Sequence, residues 1–438
     1  MKILISQFNF SRYSGIMLSV LLFAALLLAT GNVNSQSYTW RQVPNSIYSF
    51  TPFEDVSFVD SFNGWTILSN GSIYWSTDGG FNWQLTATIP SSISGVAFLN
   101  AQSGWVSSKN NVLHVTTDGG SSFSLVTNFP SPAPSGLQCI NVLNGSILYG
   151  CGRETSDPVF VRSNDLGTTW ITRSLSQFAT GLTDCLFLNE SRGFIAGSIQ
   201  VAGLFRTVVL VTTDGGSSWS LSYQGNRDNE QGRRIDFVES QTGYIALERV
   251  GSPERFFLKT TNGGSTWLEM PFPSYNETSI GFINGMTGWI GGFYNPLMGT
   301  TDGGSSWFNA NIGQNIMEII LFGDTLGYAC GNYIYRYDKT NGIASVGTVA
   351  PQEFELQQNY PNPFNPVTAI AFSVPEACNV TLEVFDVTGR KHLSYRSALL
   401  QPGKYEYRFD GSNLSSGIFI YAITAGQYSG SKAMVLVK

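Results

Sequence analysis

The sequence predicts an all-β chain, a seven-bladed β-propeller followed by a small immunoglobulin-like β-sandwich. Three observations lead there. A box of the form S/T-x-D-x-G-x-x-W returns six times, and a segment made of an apolar strand, a turn and a Gly-aromatic pair returns seven times. Both stop by Asn341-Gly342, and beyond them alternating apolar residues are broken by glycine turns, the pattern of an antiparallel sandwich.

The boxes run from Ser76 to Trp83, Thr116 to Phe123, Ser163 to Trp170, Thr212 to Trp219, Thr260 to Trp267 and Thr300 to Trp307. Their acid position is Asp78, Asp118, Asp165, Asp214, Asn262 and Asp302, in steps of 40, 47, 49, 48 and 40 residues that suit four-stranded blades. The Gly-aromatic pairs are Gly64-Trp65, Gly104-Trp105, Gly193-Phe194, Gly243-Tyr244, Gly288-Trp289 and Gly327-Tyr328, with Gly145-Ser146 as a degenerate copy. Seven such segments against six boxes leave one blade short of an outer strand. Tyr38-Thr39-Trp40 resembles the residues that close each box. The N-terminal strand is therefore expected to complete the last blade beside Tyr333 to Asp338, leaving no open edge in the ring.

Within a box, the short carboxylate is expected to accept backbone N–H groups of its own turn, and glycine supplies positive φ. The Trp ring is expected to be buried between blades with its N–H on an acceptor. Asn262 in place of the acid and Phe123 in place of one Trp fit a structural role for all six boxes. The box resembles the Asp-box (BNR) hairpin of sialidases, sortilin-type propellers and the photosystem II assembly-factor propellers. The blade number and spacing resemble the assembly-factor propellers more closely than sialidases.

The N-terminus has Lys2 and Arg12, an apolar run from Ile16 to Leu28 and small polar residues through Ser35. That is the layout of a secretory signal peptide, expected over residues 1–35 with cleavage after Ser35. The apolar run is shorter than the ~20 residues a spanning helix needs, and no later stretch is long enough, so the mature protein is expected to have no transmembrane segment. The propeller is placed at residues 36–342 and a linker at 343–355. With 24 Lys+Arg against 30 Asp+Glu and no basic run, nucleic acid is excluded as a partner. Two histidines, His114 and His392, fall in different domains, so no metal site or cofactor is expected. Cys139 and Cys151 lie symmetrically about Gly145 and should face each other across a hairpin, either as a disulfide or as two buried thiols.

The most specific segment opens the last domain, at residues 356–438. Leu356-Gln357-Gln358-Asn359-Tyr360-Pro361-Asn362-Pro363-Phe364-Asn365-Pro366 is followed by a strand from Thr368 to Val374, then by Val380 to Asp386, Gly389-Arg390, Asp410-Gly411 and Lys432 to Lys438. This resembles the type IX secretion (Por) C-terminal sorting domain. The resemblance implies export by the type IX machinery, acting through residues 356–438, to the cell surface or medium.

Candidate binding residues lie on the face opposite the boxes, because loops are where a rigid scaffold carries variable chemistry. Alignment of the inner strands puts Asp55, Gly95, Gly136, Asp184, Arg234, Ser279 and Glu318 at the channel mouth. Longer loops of the third to sixth blades carry Arg153, Arg206, Arg233, Arg234, Arg255, Tyr275 and Tyr294. Arg with Tyr is the mix enriched at binding hot spots, although loop charges also serve solubility. The expected function is a secreted or surface-displayed, non-catalytic binding or adhesion module with a protein or glycan ligand. The rival reading is a sialidase-like or other glycoside hydrolase. It would use Arg233, Glu318, Tyr244 and Asp55, but the Arg-Ile-Pro motif that places the first sialidase arginine is absent.

Overall fold

A computed structural model describes residues 38–43, 46–60, 62–110, 112–274, 277–339, 344–347, 351–397, 400, 402–411 and 414–438. The expected leader, residues 1–35, lies outside them. Among the described residues the regular elements are strands, and no helix is long and apolar enough to cross a membrane.

Seven four-stranded antiparallel sheets come first. Their inner strands are Phe53–Phe58, Ile93–Phe98, Cys139–Leu143, Gly181–Phe187, Glu230–Phe237, Glu277–Phe282 and Glu318–Phe322. Each touches the next, and the seventh returns to the first, so the strands close a ring. The last blade takes its outer strand, Tyr38–Gln42, from the other end of the propeller, where it lies beside Ile334–Lys339. Val43 N–H then donates to Ile334 O at 3.1 Å. Trp40 packs edge-on against Trp289 at 5.7 Å and against Tyr337 at 5.4 Å, so the join also buries aromatic surface between two blades.

The box turns show why the repeat has its residues. In the fourth blade Thr212 Oγ1 donates to Asp214 Oδ1 at 2.8 Å and accepts Gly216 N–H at 2.9 Å. Ser218 gives its N–H to Asp214 Oδ1 at 2.9 Å and its hydroxyl to Oδ2 at 2.6 Å. Asn262 preserves the arrangement with one bond reversed. Its Oδ1 accepts Thr266 N–H at 3.0 Å while its Nδ2 donates to Thr266 Oγ1 at 2.8 Å. Each turn is also docked on its own blade, as Gly215 N–H donates to Ser191 O at 2.8 Å. The tryptophans divide. Trp83 and Trp170 donate to Gly80 O and Gly167 O at 2.8 and 3.0 Å, and Trp267 donates to Ser222 Oγ at 2.9 Å. Trp219 and Trp307 have no acceptor for their buried N–H, contrary to expectation, so ring packing alone holds them. Trp219 meets Phe160 at 5.0 Å and Phe187 at 6.1 Å.

The C-terminal unit is two four-stranded sheets over one core that includes Ile370, Phe372, Val384, Tyr421 and Ile423. Alternation sets the inward side: Phe419, Tyr421 and Ile423 are buried while Ile418 and Ile420 are exposed. The opening motif is built into this core. Asn359 is 2% exposed and its Nδ2 donates to Pro361 O and Thr368 Oγ1, while Tyr421 OH links Asn359 N–H to Gln357 O. The linker expected over 343–355 is partly incorporated. Ala344–Gly347 pairs with Gly403–Asp410, and Glu355–Leu356 pairs with Val367–Val374, each covering an otherwise open sheet edge.

Two glycines with the same backbone separate packing from strain. Gly216 and Gly203 sit at φ 87° and 86°, but a Cβ on Gly216 would lie 2.2 Å from the Phe160 ring whereas one on Gly203 meets nothing. Gly216→Ala is expected to cost roughly 2–4 kcal/mol, and Gly203→Ala about 1 kcal/mol, in urea unfolding. Equal losses would contradict this packing.

Candidate functional site

Along the inner strands a register shift recurs, between Phe53 and Asp55, Ile93 and Gly95, Leu182 and Asp184, Gly232 and Ile235, and Glu277 and Ser279. Such bulges re-aim a side chain, and here they sit beside the residues that reach across to the next blade. Asp55 accepts Val96 N–H at 2.8 Å, Asp184 accepts Ile235 N–H at 2.9 Å and Asp236 accepts Phe282 N–H at 2.6 Å. A buried or half-buried carboxylate on one blade thus binds a backbone donor on its neighbour.

The structure brings together the four charged residues expected at the channel mouth. Asp55, Asp184, Arg234 and Glu318 line one cavity of about 480 Å³. Arg234 Nε lies 2.5 Å from Glu318 Oε2 and its Nη1 lies 3.6 Å from Asp184 Oδ1, with all three side chains at most 15% exposed. Burial pushes the Asp55 carboxyl up to about 6 and that of Asp184 to about 7, against the pull of Arg234. Burial drives Glu318 well above its ordinary range, again opposed by Arg234. Burial works against the Arg234 charge, but Glu318, Asp184 and Asp55 overcome it and hold the guanidinium pKa above its usual value. One guanidinium held among three carboxyls that burial raises makes a network whose acids take up protons more readily than free carboxyls.

The other loop candidates divide. Arg233 pairs with Glu154 and lies 3.5 Å from Glu248, and Arg206 Nε lies 2.8 Å from Asp228. Arg153 offers its carbonyl to Leu182 N–H at 2.8 Å. Tyr294 is 74% exposed, whereas Tyr275 lies outside the described residues. Arg255 is 8% exposed with Nε and Nη1 unpartnered. Sequence reasoning missed Glu277, fully buried with neither oxygen hydrogen-bonded and its carboxyl pushed by burial up to about 8. Of the residues of the sialidase reading, Asp55 and Glu318 share the channel cavity, but Arg233 pairs with Glu154 and Tyr244 does not line the cavity. Tyr244 is fully buried and its OH donates to Gly285 O at 3.1 Å, beside the box-side turns.

Cys139 and Cys151 face each other as the hairpin symmetry requires, but they gain a third member from the next blade. Cys139 Sγ lies 3.3 Å from Cys151 Sγ and 3.2 Å from Cys185 Sγ. All three are buried free thiols with sulfurs within 4.8 Å of one another. Such a donor set suits a soft metal ion or, on oxidation, one disulfide with Cys139 as the shared partner.

Comparison with known proteins agrees with this architecture. A family model described as the secretion system C-terminal sorting domain matches residues 358–438. Another, described as photosynthesis system II assembly factor YCF48, matches residues 32–141. Among curated proteins no sequence matches. Among solved structures, YCF48 from Cyanidioschyzon merolae is 16% identical, with a TM-score of 0.54 over 68% of this chain and 99% of that one. YCF48 bound to a D1 peptide is 18% identical, with a TM-score of 0.52 over 69% and 96% of the two chains. PorZ, a surface component of the type IX secretion system of Porphyromonas gingivalis, is 14% identical, with a TM-score of 0.50 over 89% of this chain and 60% of that one.

The buried acids and the box acids give opposite pH responses. A raised carboxyl contributes stability that is fully present below its ordinary 3.8 and lost as pH rises through about 7 for Asp184. In the boxes, the hydroxyl and N–H of Ser122 hold Asp118 down at about 2, so its contribution is present above 3.8 and lost as pH falls through about 2. Asp184→Asn is expected to flatten the decline in urea stability from pH 3.8 to about 7, and an unchanged slope would contradict this assignment. The chain is similar to YCF48-type repeat propellers and carries a secretion system C-terminal sorting domain.

Proposed function

We propose that the protein is a non-catalytic binding or adhesion module, delivered by the type IX route and displayed at or released from the cell surface. The observation that carries this reading is the division of labour between the two faces. On the box face the carboxylates are occupied by their own turns, as in Thr212-Asp214-Ser218. On the opposite face, Tyr294 stands exposed on a loop, and Arg206 projects from the strand Leu204–Thr212 to pair with Asp228. That a YCF48 propeller has been solved with a D1 peptide bound supports a binding role for this architecture.

A second reading follows from the raised carboxyls of Asp55 and Asp184, the property a glycosidase acid needs. Against it, each of these acids is engaged with the N–H of a neighbouring strand, and Arg234 already lies against Glu318. The purified mature protein is expected to release no product from a fluorogenic sialoside or a β-glucan. Turnover lost in Asp184→Asn would establish the enzyme instead.

The sorting domain is expected to be necessary for export. A chain ending before Leu356 should remain in the periplasm, as read by fractionation. Its appearance in the medium would overturn the address.

A further inference from the structure

A second concavity lies on the loop face, where the sixth, seventh and first blades meet. Tyr48 and Phe50 lie on the segment leading into Phe53–Phe58, Tyr333 on the turn between Leu326–Cys330 and Ile334–Lys339, and Tyr294 on the turn between Gly288–Gly292 and Met298–Thr300. The Tyr48 ring lies 5.4 Å from Phe50 and 5.1 Å from Tyr333. Tyr48, Phe50 and Tyr294 are 50%, 89% and 74% exposed; Tyr48 and Tyr333 line the concavity, while Phe50 and Tyr294 are not among its lining residues.

Their loops are nevertheless held in place. Asn332 Nδ2 donates to Ser49 O at 2.7 Å and Phe50 O at 3.3 Å. Asn315 Nδ2 donates to Asn332 Oδ1 at 2.6 Å, and Tyr294 N–H donates to Asn315 Oδ1 at 2.8 Å. This relay of two amides ties together the three loops that carry the rings. Tyr294, Asn311 and Asn315 all sit at positive φ, 62°, 56° and 56°. Left-handed backbone at non-glycine residues clusters where a surface is shaped for use.

The concavity measures about 380 Å³, within the range of small-ligand sites. Tyr48, Tyr333, Asn309, Asn311 and Gln314 are among its walls, and none of its lining residues is charged. We propose that it binds a neutral oligosaccharide, a proposal that rests on the binding reading above and names its ligand class. A pyranose presents an apolar C–H face and a rim of hydroxyls. Tyrosine rings pack on the first, and primary amides, which donate and accept at once, pair with the second. An acidic sugar or a nucleic acid would call for cationic partners that this wall lacks. A stable protein interface needs about 800 Å² from each partner, more than a concavity of this size supplies.

The test is affinity electrophoresis of the mature chain in gels containing galactomannan, xyloglucan, xylan or mixed-linkage glucan, with alginate as the anionic comparison. At least one neutral polysaccharide should retard the protein, and Tyr48→Ala and Asn311→Asp should each weaken that retardation about tenfold. Aspartate accepts the left-handed backbone of Asn311, and Tyr48 is half exposed, so both variants should keep the parent Tm. Met286→Ala, exposed on the box face, should bind as the parent does. No retardation by the four neutral polymers, stronger retardation by alginate, or equal retardation of both variants would overturn the proposal. A chain that adheres to cells yet ignores all four polymers defeats this proposal and leaves the binding reading standing. A chain that cleaves the polymer retarding it defeats the non-catalytic reading, and the site stands if Tyr48→Ala still releases it.

Discussion

The constraint on which the structure depends is ring closure. Seven twisted sheets have no stable arrangement unless each inner strand finds a neighbour on both sides. The seventh meets the first, and Tyr38–Gln42, from the start of the propeller, lies beside Ile334–Lys339 to complete that last blade. The same join carries Trp40 into the cluster of Trp289 and Tyr337. Around the channel the ring is fastened by a second device, carboxylates of one blade accepting N–H groups of the next. Burying an acid is costly, and its bond to the neighbouring strand offsets part of that cost.

Much of this was legible in the residues because the signals are local. A box specifies its own turn within eight residues, and the count of Gly-aromatic pairs against boxes pointed to the split last blade. The channel residues Asp55, Asp184, Arg234 and Glu318 were legible for a related reason: inner strands of equal register put equal positions at one height. What lay beyond reach depends on contacts between blades. Hairpin symmetry pairs Cys139 with Cys151 but says nothing of Cys185, whose approach depends on how two blades pack. The pairing of Arg233 with Glu154 links residues from different blades. The linker strand Ala344–Gly347 gave no signal, since its pairing is dictated by an uncovered edge elsewhere. The shelf of Tyr48 and Phe50 was missed because it lies before the first repeat and holds no charge.

Function follows the same division between what is repeated and what is not. Where the chain repeats, its polar groups are absorbed by the fold. Where it departs from the repeat, side chains stand on rigid supports: Glu277 with neither oxygen hydrogen-bonded, Arg234 against Glu318 and Asp184, and rings exposed beside an amide relay. The sorting domain is the extreme case of absorption, since Asn359 and Phe364 of its opening motif are buried in its own core. Tyr360 of the same motif, by contrast, is 82% exposed.

Amide hydrogen exchange, read by mass spectrometry on the peptide containing Tyr38–Gln42, tests ring closure most directly. If this strand completes the seventh blade, its amides should exchange as slowly as those of Ile334–Lys339, and both should become fast together on unfolding. Rapid exchange of Tyr38–Gln42 in a protein whose Ile334–Lys339 remains protected would show an open ring and contradict the account.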